Sequence, residues 1–252
     1  MQQNYFELTK AIALSDFKLR YHGSVLGIFW SFLKPLLTFG VLYLVFSVFI
    51  RFDIENYALY LLLGIILWNF FAEATILSLN SLAGKAPVIK KIAFPRSIII
   101  VSSTLTALLS FFFNIVVFGI FFLFSDLSLS ISALLFVIFT VCLYFVALGT
   151  SFFISALNAK FKDVRHIWEV LLQLGFWLTP IIYTVSMIPE KLHWFVYLNP
   201  MTRVIQYSRE AILQQKVSNL DGVFALFLMT LIIFFIGYYV YKKRSPYFAE
   251  EL

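Results

Sequence analysis

Residues 57–83, YALYLLLGIILWNFFAEATILSLNSLA, hold a single charged side chain, Glu73, in twenty-seven positions. As a helix, at about 1.5 Å of rise per residue, the run reaches roughly 40 Å. That exceeds the ~30 Å hydrocarbon core of a bilayer, so the run is read as a membrane span whose far end projects into water. Five further apolar runs, residues 27–50, 98–124, 131–157, 167–185 and 222–241, are of spanning or near-spanning length. The whole chain is 62% hydrophobic and 13% charged. A soluble domain carries about 25% charged residues, so this chain lacks the polar surface to cover a core in water. The fold class expected is an all-α integral membrane protein. It has six transmembrane helices in one domain over residues 1–252, with no internal repeat and no linker.

The formal charge of +6 does not point to nucleic acid, because the cations form no single stripe. With the N-terminus inside, fourteen of the nineteen Lys and Arg residues fall on inner segments, leaving Arg51, Lys191, Arg203, Arg209 and Lys216 outside. That is the positive-inside pattern, and it places both termini in the cytoplasm. The N-terminal sequence has no basic region ahead of a short apolar core, so it does not read as a signal peptide. The one cysteine, Cys142, sits inside a span and reads as a small apolar residue.

Residues 1–26 are too polar to cross. Tyr5, Leu8, Ile12 and Leu19 share a helical face, which predicts an amphipathic helix lying in the interface. Pro35 removes a backbone donor from the first span, where a kink is expected, and Pro180 marks a kink or an early end of the fifth. In the second span, Asn69, Glu73 and Asn80 fall near one face. A carboxylate at that depth faces protein or water, either as a packing residue or as part of a path. Small residues recur at Ser103, Ala107, Ser110 and Asn114, and again at Ala147, Ser151 and Ser155, which predicts close helix packing in lipid. Residues 186–221 are too apolar for a free linker. They read as two short helices opened by Pro189 and by Asn199-Pro200, forming either a capping loop or an outer gate.

Between the second and third spans lies the stretch 84–97, GKAPVIKKIAFPRS, with four cations, two prolines and no acid. Two prolines and an apolar centre describe a shaped cytoplasmic hairpin, a place to receive a partner. The chain has no phosphate-binding loop: Gly84-Lys85 lacks the glycine-rich cradle and the following Ser or Thr. His22, His166 and His193 are scattered at membrane edges, and no residues are predicted to be catalytic or to bind a metal. A membrane path without an energy source implies a motor on another chain.

Four segments, DFKLRYHGSVLGIFWSFLKPLL (16–37), APVIKKIAFPRSII (86–99), NAKFKDVRHIWEVLLQLGFWLTPIIY (158–183) and YLNPMTRVI (197–205), make the chain resemble the permease subunits of type-2 ABC exporters for polysaccharides. The likeness is greatest to the Wzm-type O-antigen permeases, with capsule and teichoic-acid permeases near, and it covers essentially the full length. The resemblance implies a homodimer in the bacterial inner membrane, bound to two copies of a Wzt-like ATPase that carries the ATP and Mg. No cofactor would be bound by this chain. The cargo implied is a polysaccharide on undecaprenyl diphosphate, moved from cytoplasm to periplasm. The hairpin would be the coupling helix, and residues 187–215 would hold periplasmic gate helices.

On that reading, Lys85, Lys90, Lys91 and Arg96 pair with acids on the ATPase, and Val88, Ile89, Ile92 and Phe94 supply buried contact. Arg20, His22 and Lys34 stand at headgroup level to meet the lipid diphosphate. A sliding sugar chain needs sequence-tolerant stacking, as single-stranded nucleic acids find on aromatic platforms. Phe39, Tyr43 and Phe46 on the first span and Phe176, Trp177 and Tyr183 on the fifth are the candidates to line the channel, with Glu73. With 31 phenylalanines in the chain, periodicity alone does not separate such rings from core. Two other readings stay open: a type-2 permease for a drug or lipid, and a membrane transferase for lipid-linked sugars, for which Glu73, Asp163 and Glu169 are the acids on offer.

Overall fold

The computed structural model describes residues 5–20, 22–85 and 95–248. Val88, Ile89, Lys90, Lys91, Ile92 and Phe94 of the hairpin lie outside the described residues. The elements are α1 (Tyr5–Arg20), α2 (Trp30–Tyr43), α3 (Tyr57–Gly84), α4 (Ser97–Leu123), α5 (Leu135–Lys160), α6 (Val164–Leu178), α7 (His193–Val196), α8 (Pro200–Ile212) and α9 (Leu220–Arg244). Short 3₁₀ turns lead into α2 and α5, and a π-helical stretch, Leu44–Phe49, continues α2.

Five helical runs among the described residues, 27–49, 57–82, 97–123, 131–160 and 220–247, are long and apolar enough to cross a membrane. They match five of the six expected spans to within a few residues at most ends; the last also takes in the short turn after α9. The expected span over 167–185 is helical only as α6, whose fifteen residues reach about 22 Å. Thr179 leaves the helix with φ −83° and ψ 133°. The cause is local: a residue before proline is pushed out of the helical region, and Pro180 follows.

The most enclosed helix is α3, which packs on α4 along one side and α5 along another. The small-residue stripes are the contact surfaces. Ser155 Oγ donates to the Ser78 carbonyl at 2.9 Å, and Asn158 Nδ2 to that of Leu79 at 3.0 Å, tying α5 to α3. A crossing that the stripes do not include is tighter still. Gly149 of α5 meets Gly237 of α9, where a Cβ on Gly237 would stand 1.9 Å from the Gly149 carbonyl oxygen. Only glycine permits that approach, which is how helices gain contact where lipid supplies no hydrophobic drive.

Pro35 lies inside α2 and does not end it. Proline withholds the hydrogen bond that Ser31 O would accept, and Asn114 Nδ2 of α4 donates to that carbonyl instead, at 3.1 Å. The helix therefore continues, and the graft pins the start of α2 to α4.

α1 lies along α4, with the Thr106 hydroxyl donating to the Ala13 carbonyl at 3.2 Å and Phe17 stacked on Phe113. Its buried residues are Ala13 and Phe17. The apolar face expected to meet lipid is turned away from the bundle: Tyr5, Leu8 and Leu19 are exposed. Outward apolar side chains suit a helix at a lipid interface, where the solvent itself is apolar.

One end of the bundle gathers the cations Lys85, Arg96, Lys160 and Lys242–Arg244. Arg96 donates to the Ser245 carbonyl, Lys160 and Arg244 both lie over the Phe161 ring, and Phe248 is fully buried near Tyr241. This is called the basic end below.

Candidate functional site

Among the described residues two places stand out, a cluster of cations and carboxylates toward the basic end and the buried Arg209 toward the opposite end. At the first, α1 ends beside the middle of α3. Arg20 Nη1 pairs with Glu73 Oε1, and the Ser110 hydroxyl of α4 donates to the same carboxylate oxygen at 2.7 Å. The pair is partly solvated, with 38% of the Arg20 side chain and 21% of the Glu73 side chain exposed. Arg20, Lys34, Asn69 and Glu73 line one cavity of about 280 Å³, walled also by Trp30, Pro35 and Thr38. The graft at Ser31 fixes the first turns of α2 and thereby sets where Lys34 stands.

Two of the three side chains expected to meet a lipid diphosphate thus share a cavity. His22 is exposed and does not line it. The expected polar face of α3 is also present: Asn69 and Glu73 face this cavity, and Asn80 lines a neighbour of about 320 Å³ with Asp16, Arg20 and Lys85.

The two described ends of the hairpin are held by different elements. Lys85 pairs with Asp16 of α1, and Arg96 bonds the Ser245 carbonyl beyond α9. Asp16 and Arg20 are four residues apart, so one face of α1 grips α3 twice, with opposite signs of charge. Nothing in the sequence singled out Asp16, because its partner is 69 residues away.

The opposite end is organised by Arg209 of α8, which is 1% exposed. Beyond Thr179 the chain has no helical partner for its carbonyls, and side chains from α3 and α8 supply the donors. Arg209 donates to Pro180 O at 2.7 Å and Ile181 O at 2.6 Å, and its Nε and Nη2 both reach Tyr60 O. The Tyr57 hydroxyl donates to Ile182 O at 3.1 Å and that of Tyr60 to Tyr183 O at 3.0 Å. Four consecutive carbonyls are satisfied without regular structure, the condition for irregular backbone in an apolar surround. The guanidinium also lies 3.3 Å over the Tyr60 ring. Gly64 leaves room for it: a Cβ there would stand 2.6 Å from Arg209 Nη2. Asn199 caps α8 by accepting from Met201 N at 3.0 Å, with Pro200 in the first turn, as its sequence suggests.

The aromatic candidates divide. Phe39 is buried in the chain's own core against Phe121, and it heads a row of rings running through Tyr43 and Tyr57 to Tyr60. Phe46 packs on Phe52. On α6, Phe176 meets Trp68 edge-on, Trp177 is 53% exposed, and the Tyr183 hydroxyl donates to the carbonyls of Trp177 and Leu178. None of the six lines either cavity at the basic end.

Sequence reading counted Arg209 only as an outer charge and gave no weight to Gly64, Gly149 and Gly237. Lone glycines inside long apolar runs were the available signal for all three.

A helical bundle with five runs long enough to cross a membrane, α1 along its side and a further apolar segment broken at Thr179 is the architecture that emerges. The ABC-2 type transporter family matches residues 7–213. The chain belongs to that family. It is similar to an O-antigen export system permease protein, RfbA, of Klebsiella pneumoniae, 34% identical over 98% of this chain and 95% of the relative. An RfbA of Myxococcus xanthus is 24% identical over 98% and 96%. The polysialic acid transport protein KpsM of Escherichia coli is 21% identical over 97% and 98%.

Proposed function

We propose that this chain is the membrane permease subunit of an ABC exporter for an O-antigen-like polysaccharide carried on a lipid diphosphate. It works as a homodimer in the inner membrane with two copies of a separate ATPase subunit, both termini being cytoplasmic. The observation that carries this reading is the 34% identity, over nearly the full length of both chains, to an O-antigen export permease. The cavity with Arg20 and Lys34 supports the diphosphate, since two cations at the end of an amphipathic helix suit a phosphate group at headgroup depth. The segment 84–97, held at its ends by α1 and by the residue after α9, is the ATPase docking element. The break after α6, with the residues up to Ile212, makes a sixth, interrupted crossing with gate helices α7 and α8 at the periplasmic face. The exposed apolar face of α6, with Leu171, Leu174 and Trp177, is offered to the path or to the second copy.

The likeness to KpsM favours a capsule-type polymer as the second reading. Co-expression with the ATPase subunit of an O-antigen exporter, in a strain lacking its own exporter, tests both. Surface polymer and ATP turnover are expected. A permease that neither binds that ATPase nor delivers polymer refutes the assignment. Reversing charge at Lys90 and Lys91 is expected to leave the ATPase turning over without export.

A further inference from the structure

The cavity at the basic end has an unusual occupant for an anion site, a carboxylate of the protein itself. Arg20 is the cation at its rim, and Glu73 already occupies that guanidinium. Lys34 lines the same cavity on the α2 side. Glu73 also accepts from the Ser110 hydroxyl, so it keeps a hydrogen-bond donor when Arg20 turns away. The Arg20 side chain is 38% exposed at the last residue of α1, with a wet route to swing along.

We infer that Glu73 is a resident counter-anion, held by Arg20 while the cavity is empty and displaced by a phosphate of the lipid diphosphate when it arrives. This rests on the reading of a diphosphate-linked cargo proposed above. The displacement needs no new charge in the apolar interior. One anion replaces another at Arg20, Lys34 faces the newcomer, and Ser110 retains the carboxylate. A buried cation left alone would be costly, and a cation fixed permanently to phosphate would not release cargo. A competing carboxylate meets both demands by weakening the hold on the headgroup. It also couples arrival to α1, because the Arg20–Glu73 pair is one of the two grips of that helix on α3, and the Asp16–Lys85 grip leads to the hairpin.

The test uses the permease–ATPase complex in zwitterionic nanodiscs, with a fluorescent farnesyl diphosphate as probe. Glu73→Gln is expected to tighten probe binding about two- to fivefold, the scale of one partly exposed ion pair. Ser110→Ala is expected to weaken it, since a carboxylate without its second donor holds Arg20 harder. A merely structural role would weaken both. In an Arg20→Gln background the gain from Glu73→Gln disappears, and Asp126→Asn, which removes an exposed acid in the loop after α4, changes nothing. Pyrophosphate is expected to compete and phosphatidylglycerol to compete poorly. Unchanged or weaker binding by Glu73→Gln, a gain that survives loss of Arg20, or equal competition by phosphatidylglycerol overturns the inference. So does a wild-type complex that exports polymer yet does not bind the probe. A wild-type complex that binds the probe but delivers no polymer would instead strike the export reading.

Discussion

Arg20 and Arg209 are the same residue in two settings. Arg20 ends a helix beside a cavity, with more than a third of its side chain exposed and a carboxylate for a partner. Arg209 is closed off completely, and its donors are consumed by the carbonyls of Tyr60, Pro180 and Ile181. A charge that is to meet a ligand needs a replaceable partner and space alongside. A charge that is to hold a chain turn needs neutral partners that cannot leave. The basic end is thus built to exchange partners, and the opposite end to keep them.

Substitutions rank that contrast by the shift each causes in thermal unfolding of the purified protein. Arg209→Leu should cost the most, about 3 kcal/mol or more, because it strands the buried Pro180 and Ile181 carbonyls at about 1–3 kcal/mol each. Arg209→Lys should recover little, since an ammonium cannot span the fork of acceptors a guanidinium reaches. Gly64→Ala comes next, at about 1–3 kcal/mol, because its Cβ meets a guanidinium with nowhere to retreat. Should Gly64→Ala prove neutral, the Arg209 knot is looser than its geometry implies.

Arg20→Gln belongs at the other extreme. It should shift stability by under about 1 kcal/mol, as partly exposed ion pairs do, while export of polymer falls sharply. Equal losses of stability at Arg20 and Arg209 would erase the distinction. The smallest effect is expected from the swap Asp16→Lys with Lys85→Asp. Either single change should lower ATPase-coupled export a few-fold, and the pair should restore it with unfolding unchanged to within about 0.5 kcal/mol.

Much of this architecture was legible because hydropathy reports on membrane crossing directly. Five spans, the small-residue contacts of α5 on α3 and the Asn199-Pro200 start of α8 follow from runs, spacings and caps that are local in sequence. Arg20, Lys34 and Glu73 were picked out singly, and the fold brings them to one cavity. What local pattern does not carry is pairing at a distance. Arg209 lies in QYSREAIL, which reads as a polar helix in water, while its acceptor at Tyr60 is 149 residues away. The helical stop at Thr179 was signalled by Pro180, but nothing local showed that the apolar residues after it are buried by α3 and α8. For α1 the outward apolar face was legible, and the residues that would meet α4 were not. Large apolar side chains on a helix beside lipid do not have to turn inward, and Ala13 with Phe17 gives the closer fit to α4.

The repair at Ser31 has a consequence for comparing relatives. Pro35 and Asn114 form a complementary couple on separate helices, one removing a donor and the other restoring it. Where an exporter of this kind carries another residue at the first position, the amide at the second loses its reason to be there. Substitution at the two sites should then occur together, a statistical footprint that any sufficiently deep set of sequences would expose.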